Sequence, residues 1–287
     1  MGDLFDDTAV HGEAGEAGTA GTYSGHVTSD WSVFGPNGGY LAAIALRAAG
    51  MASGLERPAR FNCHFLGPVL VGPVRLAVRR AFGGKRAESL HVSMTQQERP
   101  VLEASVWAVG ERAAVDLDDR DVRSMPESPP IETLPEWDLG AMPIPPSPRI
   151  TLWTHLEQRL IGWQGWHEPG EPQLDGWYRF RPRPVLPNAF ADAARALIAI
   201  YVGTWLAAMN PHIRRAPIIA PAMALGARFY HPASTEWLRC LARSDIALGG
   251  LIDGAATVWT RDGDQVAQGD CQMLYRTSGP LAPGANP

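Results

Sequence analysis

Two stretches decide how this chain reads: FLGPVLVGPVRLAVRR at 65–80 and FYHPASTEWLRCLARS at 229–244. Each opens on a phenylalanine with a proline three residues on, and Phe65 and Pro68 match Phe229 and Pro232 at a spacing of 164. Each runs on to a glycine pair, Gly83-Gly84 and Gly249-Gly250, at a spacing of 166. Each continues into strand-like sequence, HVSMTQQERPVLEASVWAV and AATVWTRDGDQVAQGDCQMLYR, where Val101 matches Val266 at 165. Landmarks that hold one offset within two residues mark an internal duplication, and a repeat is read before any single motif.

Outward from these stretches, each copy carries a helix upstream. GGYLAAIALRAA at 38–49 puts Leu41, Ile44, Ala45 and Ala48 on one face, and Asn37 follows Pro36 as a natural N-cap. The second helix, from about 188 to 209, is apolar on nearly every side, which implies burial. Its longest uncharged run, Ala196 to Met209, is 14 residues, short of the roughly 20 that span a bilayer. The strands that follow are separated by ERP and RDGD, both hairpin signals. The repeating unit is thus one long helix and an antiparallel meander able to wrap it, an α+β design.

The boundaries follow from composition. Residues 1–27, rich in Gly, Ala and Thr over 8–25, show no periodicity and read as a mobile arm. The first unit covers 28–110. From 111 to 150 a charged run gives way to Pro126, Pro129, Pro130, Pro135, Pro143, Pro145, Pro146 and Pro148, an extended linker that no sheet interior tolerates. The second unit covers 151–287. With 25 Lys+Arg against 30 Asp+Glu the net charge is −5, which disfavours a nucleic-acid or anionic-membrane partner. Cys63, Cys240 and Cys271 have no metal-type spacing and fit a reduced, cytoplasmic setting. No GxGxxG, P-loop, HExxH or GxSxG pattern is present.

A helix wrapped by an antiparallel sheet and duplicated in one chain is the double hotdog arrangement. WSVFGPNGGYLAAIALRAA, RPARFNCHFLGPVLVGPVRL and QQERPVLEASVWAV resemble the amino-terminal half of acyl-CoA thioesterase II-type proteins. DGWYRFRPRP, the buried helix, FYHPASTEWLRC and DQVAQGDCQMLYR resemble the carboxy-terminal half. The resemblance implies hydrolysis of an acyl-CoA thioester without metal or cofactor. It also implies an Asp on the second helix, a Thr or Ser on a following strand and a Gln on the last strand. Matched position by position, those places hold Val202, Ala222 and Cys271, with Gln272 one residue further on. A one-residue slip turns a strand side chain to the other face, so the chemistry has moved or the reaction differs.

Candidates for displaced chemistry are Asn37, His64 and Tyr201. Asn37 with the amides of Gly38, Gly39 and Tyr40 stands at a helix N-terminus, where donors meet a carbonyl oxygen or simply cap the helix. His64 is an acid/base by type, or a hydrogen-bonded structural histidine. Tyr201 and Thr204 flank the vacant Asp position as ligand donors, or pack and bond to backbone. Asp192 stands about three turns before Val202, some 15 Å away, and suits a first-turn dipole partner better than a base. Cys271 lacks a neighbour to stabilise a thiolate. Trp153, Trp163, Trp166, Trp177 and Tyr178 crowd the start of the second half. A site lined by Val202, Ala222 and Cys271 is apolar and suits an acyl or polyketide-type ligand. That ligand is delivered as a CoA or carrier-protein ester to a monomer or homo-oligomer. The open outcomes are hydrolysis, a non-hydrolytic cyclisation, dehydration or rearrangement, and binding alone.

Overall fold

The repeated pattern of helix and meander becomes repeated structure. A computed structural model of the chain describes residues 3–13, 15, 21–110, 124–137, 150–163, 170–183, 186–212, 218–233 and 235–277. Helix α1 (Leu4–Asp7) and strands β1 (Val10–Glu13) and β2 (Gly21–Val27) precede helix α2 (Gly38–Ala52). Then come β3 (Arg57–Phe65), β4 (Gly72–Gly83), β5 (Ala87–Gln96) and β6 (Arg99–Val109). The second half brings α3 (Leu152–His155), β7 (Leu156–Leu160), β8 (Gln173–Phe180) and α4 (Ala189–Met209). Strands β9 (Ile218–Ile219), β10 (Ala222–Phe229), β11 (Trp237–Leu248), β12 (Leu251–Thr260), β13 (Gln265–Leu274) and β14 (Arg276–Thr277) complete it.

Twelve strands form one sheet in the order β1-β2-β4-β5-β6-β3-β10-β13-β12-β11-β8-β7. Read from either edge, the order is the same under the duplication, with β3 and β10 meeting at the centre. Their antiparallel register sets Cys63 opposite Leu225 and Asn62 opposite Gly226. The ERP hairpin turns through Gln97 and Glu98 at φ 50° and 61°, and the RDGD hairpin uses Gly263 at φ 96°. Left-handed residues of this kind match the twist of paired strands. This is the double hotdog fold that the duplication implied.

Each helix lies in the concavity of its own half, and the two pack antiparallel against each other. Gly39 makes that approach possible, because a Cβ there would stand 2.9 Å from the Cα of Ile198. Helix α4 exceeds the 14-residue apolar run, extending to 21 residues, but 78% of its most apolar window is buried inside the fold. It is a core helix.

The expected mobile arm is corrected by the structure. Residues 21–27 are strand β2, paired with β4, and bury Tyr23 and Val27. Ahead of it, the Trp31 indole donates to Asp7 Oδ2 at 2.9 Å, and the Tyr40 hydroxyl donates to the Asp7 carbonyl at 2.8 Å. Arg47 stacks over the Phe5 ring at 4.2 Å and donates to Thr8 Oγ1. Glycine hid the strand: a Cβ on Gly12 would meet the Thr22 carbonyl at 2.3 Å. Of the expected linker, 111–123 and 138–149 lie outside the described residues. The described piece crosses the outer face of the second half, where Ile131 is buried with Trp177 and Trp237.

Candidate functional site

Asn37 caps α2 through its side-chain oxygen, which accepts from the Tyr40 amide at 3.2 Å. That places the first turn of α2 against the middle of α4, and a cavity of about 230 Å³ opens beside the junction. Phe34, Ile219 and Pro221 ring its mouth, and Asn37, Leu152, Val202 and Ala220 form a buried floor. Trp153, Trp205 and Tyr201, each partly buried, complete the lining. Phe34, 53% exposed, holds φ 64°, a left-handed conformation costly for a bulky residue.

The polar groups are few and neutral. Among the described residues, no acceptor takes the Asn37 amide hydrogens. The N–H groups of Gly38 and Gly39 precede the first intrahelical bond of α2, which runs from Leu41 to the Asn37 carbonyl at 3.0 Å. Burial pushes the Tyr201 hydroxyl far above the usual phenol range, with the nearby Cys271 adding to the rise and the Gly38 amide opposing it. Tyr201 is therefore a neutral phenol at any physiological pH. No carboxylate, imidazole, lysine or arginine is among the described residues lining the cavity. Nor do the described residues hold a cluster of three or more His, Cys, Asp or Glu suited to a metal.

The structure brings Asn37, Tyr201 and Val202 into one cavity and separates the other candidates from it. His64 is exposed on the outer face of β3, because Phe61, Cys63 and Phe65 take the inward positions of the alternation. The Tyr40 amide is occupied by Asn37, and its hydroxyl is bound at the N-terminal segment, so Tyr40 offers the cavity no donor. Gly38 and Gly39 face α4 rather than the cavity wall, as their packing on Tyr201 shows. Thr204 is fully buried and donates to the Ile200 carbonyl at 2.8 Å.

On the strands, Cys271 is buried and burial pushes its thiol up to about 12, so it is no nucleophile. Gln272 points to the opposite face and donates to Asp253 at 2.9 Å. Ala222 packs against the core next to Pro221 without lining the cavity. Asp192 is locked in an ion pair with Arg195 at 2.6 Å and accepts from the Ala233 amide. Sequence reasoning missed Phe34, Leu152, Trp153, Ile219 and Ala220 as lining. A shared location for Phe34 and Trp153 carried no sequence signal, since the two lie over a hundred positions apart.

This arrangement defines a double hotdog protein with an apolar cavity at the helix–helix junction. Family comparison is consistent with it: residues 27–109 match the acyl-CoA thioesterase N-terminal domain and 125–273 the acyl-CoA thioesterase C-terminal domain. The chain belongs to the acyl-CoA thioesterase family. No curated protein matches it. A hot dog fold protein of unknown function from Alicyclobacillus acidocaldarius superposes with TM-score 0.76 at 21% identity, over 96% of this chain and 98% of that one. Acyl-CoA thioesterase II TesB2 from Mycobacterium marinum gives 0.74 at 17% identity, over 96% and 99%. The dehydratase domain of PpsC from Mycobacterium tuberculosis, solved with C12:1-CoA, gives 0.55 at 12% identity, over 94% and 99%.

Proposed function

We propose that this protein acts on an acyl or polyketide-type thioester held in the α2–α4 cavity. The Asn37 side-chain amide at the start of α2, with the Tyr201 hydroxyl beside it, polarises the thioester carbonyl. The observation that carries this reading is the lining: apolar walls around a small set of neutral hydrogen-bonding groups, with no base among the described residues. Donors aimed at a developing oxyanion are worth about 10²–10³ in rate when one is removed. Proton removal from water falls to solvent, so hydrolysis by this site is slow and limited by hydroxide.

Purified protein incubated with medium- and long-chain acyl-CoA releases free thiol, and Asn37→Ala lowers that release by at least tenfold. Release that survives Asn37→Ala unchanged rules out this site. A second reading rests on the same missing base: the cavity guides a cyclisation, dehydration or rearrangement, for which proximity and shape supply most of the acceleration. Failure to release thiol from any acyl-CoA, together with tight binding of a polycyclic ligand and its conversion, supports that reading. A retained ligand in native mass spectrometry with no turnover leaves binding alone.

A further inference from the structure

Exposed apolar side chains collect around the mouth of the α2–α4 cavity. Phe34 and Ile219 belong to the lining and both face solvent. Pro221, also in the lining, accepts the Leu274 amide on its carbonyl at 3.0 Å. From Leu274 the register runs to Leu251, and from Leu251 to Leu248 at the end of β11. Leu248 is 77% exposed, and Ile246 and Leu274 are exposed beside it. On another side, the Phe65 ring meets that of Tyr201 edge-on, with centroids 6.2 Å apart. The loop that follows Phe65 exposes Leu66, Leu70 and Val71. That loop is pinned in place. Val69 is buried in the core, the Leu66 amide donates to the Val101 carbonyl at 3.0 Å, and the Gln96 side chain engages both backbone groups of Leu70 at 2.8 Å.

Single apolar residues scattered over a surface are ordinary, whereas a contiguous exposed set marks an interaction site. We propose that this apolar rim rests on a zwitterionic lipid–water surface and admits acyl chains from it into the cavity. The proposal rests on the cavity being the acyl site. A long-chain thioester is an amphiphile that gathers at such a surface with its chain in the hydrocarbon. A rim continuous with an apolar cavity lets the chain transfer without crossing water. Charge separates this partner from its competitors. An anionic membrane or an acidic carrier protein favours a cationic rim. The charges here are of both signs: Asp253 opposite Ile246, with Asp245 preceding it, and Arg75 beside Glu98 at 3.9 Å beyond the pinned loop. The whole chain carries −5.

The test is flotation of the full chain with vesicles of phosphatidylcholine alone. Wild type floats with the vesicles, and Leu70→Ser and Leu248→Ser each lower its partition coefficient about three- to tenfold, with the double variant lower still. Phe82→Ser is the control. Phe82 is exposed too, but it borders Gly54 and Leu55 just past the far end of α2, and its removal leaves partitioning unchanged. Exchange of part of the phosphatidylcholine for phosphatidylglycerol adds no affinity, and high salt removes none. Thiol release from a soluble medium-chain acyl-CoA, measured without vesicles, is the same in wild type, Leu70→Ser and Leu248→Ser.

A wild type that fails to bind phosphatidylcholine vesicles overturns the proposal. So does binding that Leu70→Ser and Leu248→Ser leave untouched, or that Phe82→Ser abolishes. Binding that appears only with phosphatidylglycerol, or to an acidic acyl carrier protein in place of vesicles, overturns it in favour of that partner. Absent vesicle binding together with a dimer that Leu248→Ser converts to monomer, read by native mass spectrometry, assigns the rim to a second copy and overturns it as well. Vesicle binding lost in both variants, with no thiol released by any form of the protein, keeps the lipid surface and removes the thioester reading. Thiol release without vesicle binding does the reverse.

Discussion

The Tyr201 ring stands in the space that a side chain on Gly38 would fill, with the nearest ring carbon 2.4 Å from the position of the missing Cβ. Helix α2 can therefore start beside α4 only because residue 38 has no side chain. Gly38→Ala drives the methyl into the ring, and overpacking of this kind costs about 1–3 kcal/mol. Tyr201→Leu relieves the conflict. A double-mutant cycle by urea denaturation is expected to give a coupling of about 1 kcal/mol or more, the pair being less destabilised than the singles sum to. Additive effects would mean that the ring simply swings aside.

The three thiols should behave as inert core groups. Cys63, Cys240 and Cys271 are buried, and burial raises the pKa of each, that of Cys271 to about 12. Native protein is expected to resist iodoacetamide while unfolded protein takes up three equivalents, read by intact mass. Thioester hydrolysis, where measured, should persist after that treatment. Inactivation in step with labelling of Cys271 would reinstate it as a nucleophile.

A site without a base also has a recognisable pH dependence. With no carboxylate or imidazole among the described residues lining the cavity and a phenol held neutral by burial, the described lining has no group that titrates between about pH 5 and 9. The logarithm of kcat/KM for acyl-CoA hydrolysis should climb with a slope of about one, as hydroxide does. A plateau or a bell with an acid limb would reveal a base, and would replace the mechanism offered above.

The fold was legible because duplication leaves long-range marks that local propensity does not. Phe65 and Phe229 close equivalent strands β3 and β10, and Gly83 and Gly249 sit at equivalent ends of β4 and β11. The site was legible only in part. Asn37 was visible as a cap, and its cap fixes the cavity floor. His64 was misplaced, although the apolar run of Phe61, Cys63 and Phe65 already assigns it to the other face. The N-terminal strands escaped notice because glycine and serine supply no alternation of hydrophobicity. What Gly12 and Gly21 supply instead is room, here for Thr22 and Tyr23. Phe34 and Trp153 could not have been paired from sequence at all, since only the chain's tertiary path brings them together.

Phe34 offers a test of how the cavity mouth is built. Its φ of 64° belongs to glycine or asparagine, and half its surface faces solvent, so the ring contributes little burial. Phe34→Gly relieves the backbone and is expected to leave the Tm unchanged or raise it, within about 1 kcal/mol of stabilisation. The same change removes apolar surface at the mouth and should weaken binding of an alkyl-CoA thioether several-fold. Stability and affinity moving together would show that the turn is unstrained or that the ring is not part of the site.

Glu157 gives the sharpest prediction on stability against pH. Its carboxylate is fully buried; Arg159 Nε donates to it at 2.9 Å, Arg179 Nε at 2.7 Å, and Arg181 joins them. Burial pushes its pKa up, but the hydrogen bonds from Arg179 and Arg159 and the nearby charges outweigh that and hold it below the usual carboxylate value. The proton therefore binds more tightly in the unfolded chain. This contribution to stability is complete above the unfolded pKa of about 4.3 and disappears as the pH falls through the lower folded value. Arg159 also donates to the Ile131 and Leu134 carbonyls, so the same cluster pins the segment that crosses the second half. Glu157→Gln leaves three guanidinium groups around a neutral amide and is expected to cost about 2–4 kcal/mol at neutral pH. Urea unfolding between about pH 5 and pH 3 should show the wild type losing more stability than the variant, because the variant lacks the titrating group. Parallel losses in the two proteins would place the acid sensitivity elsewhere.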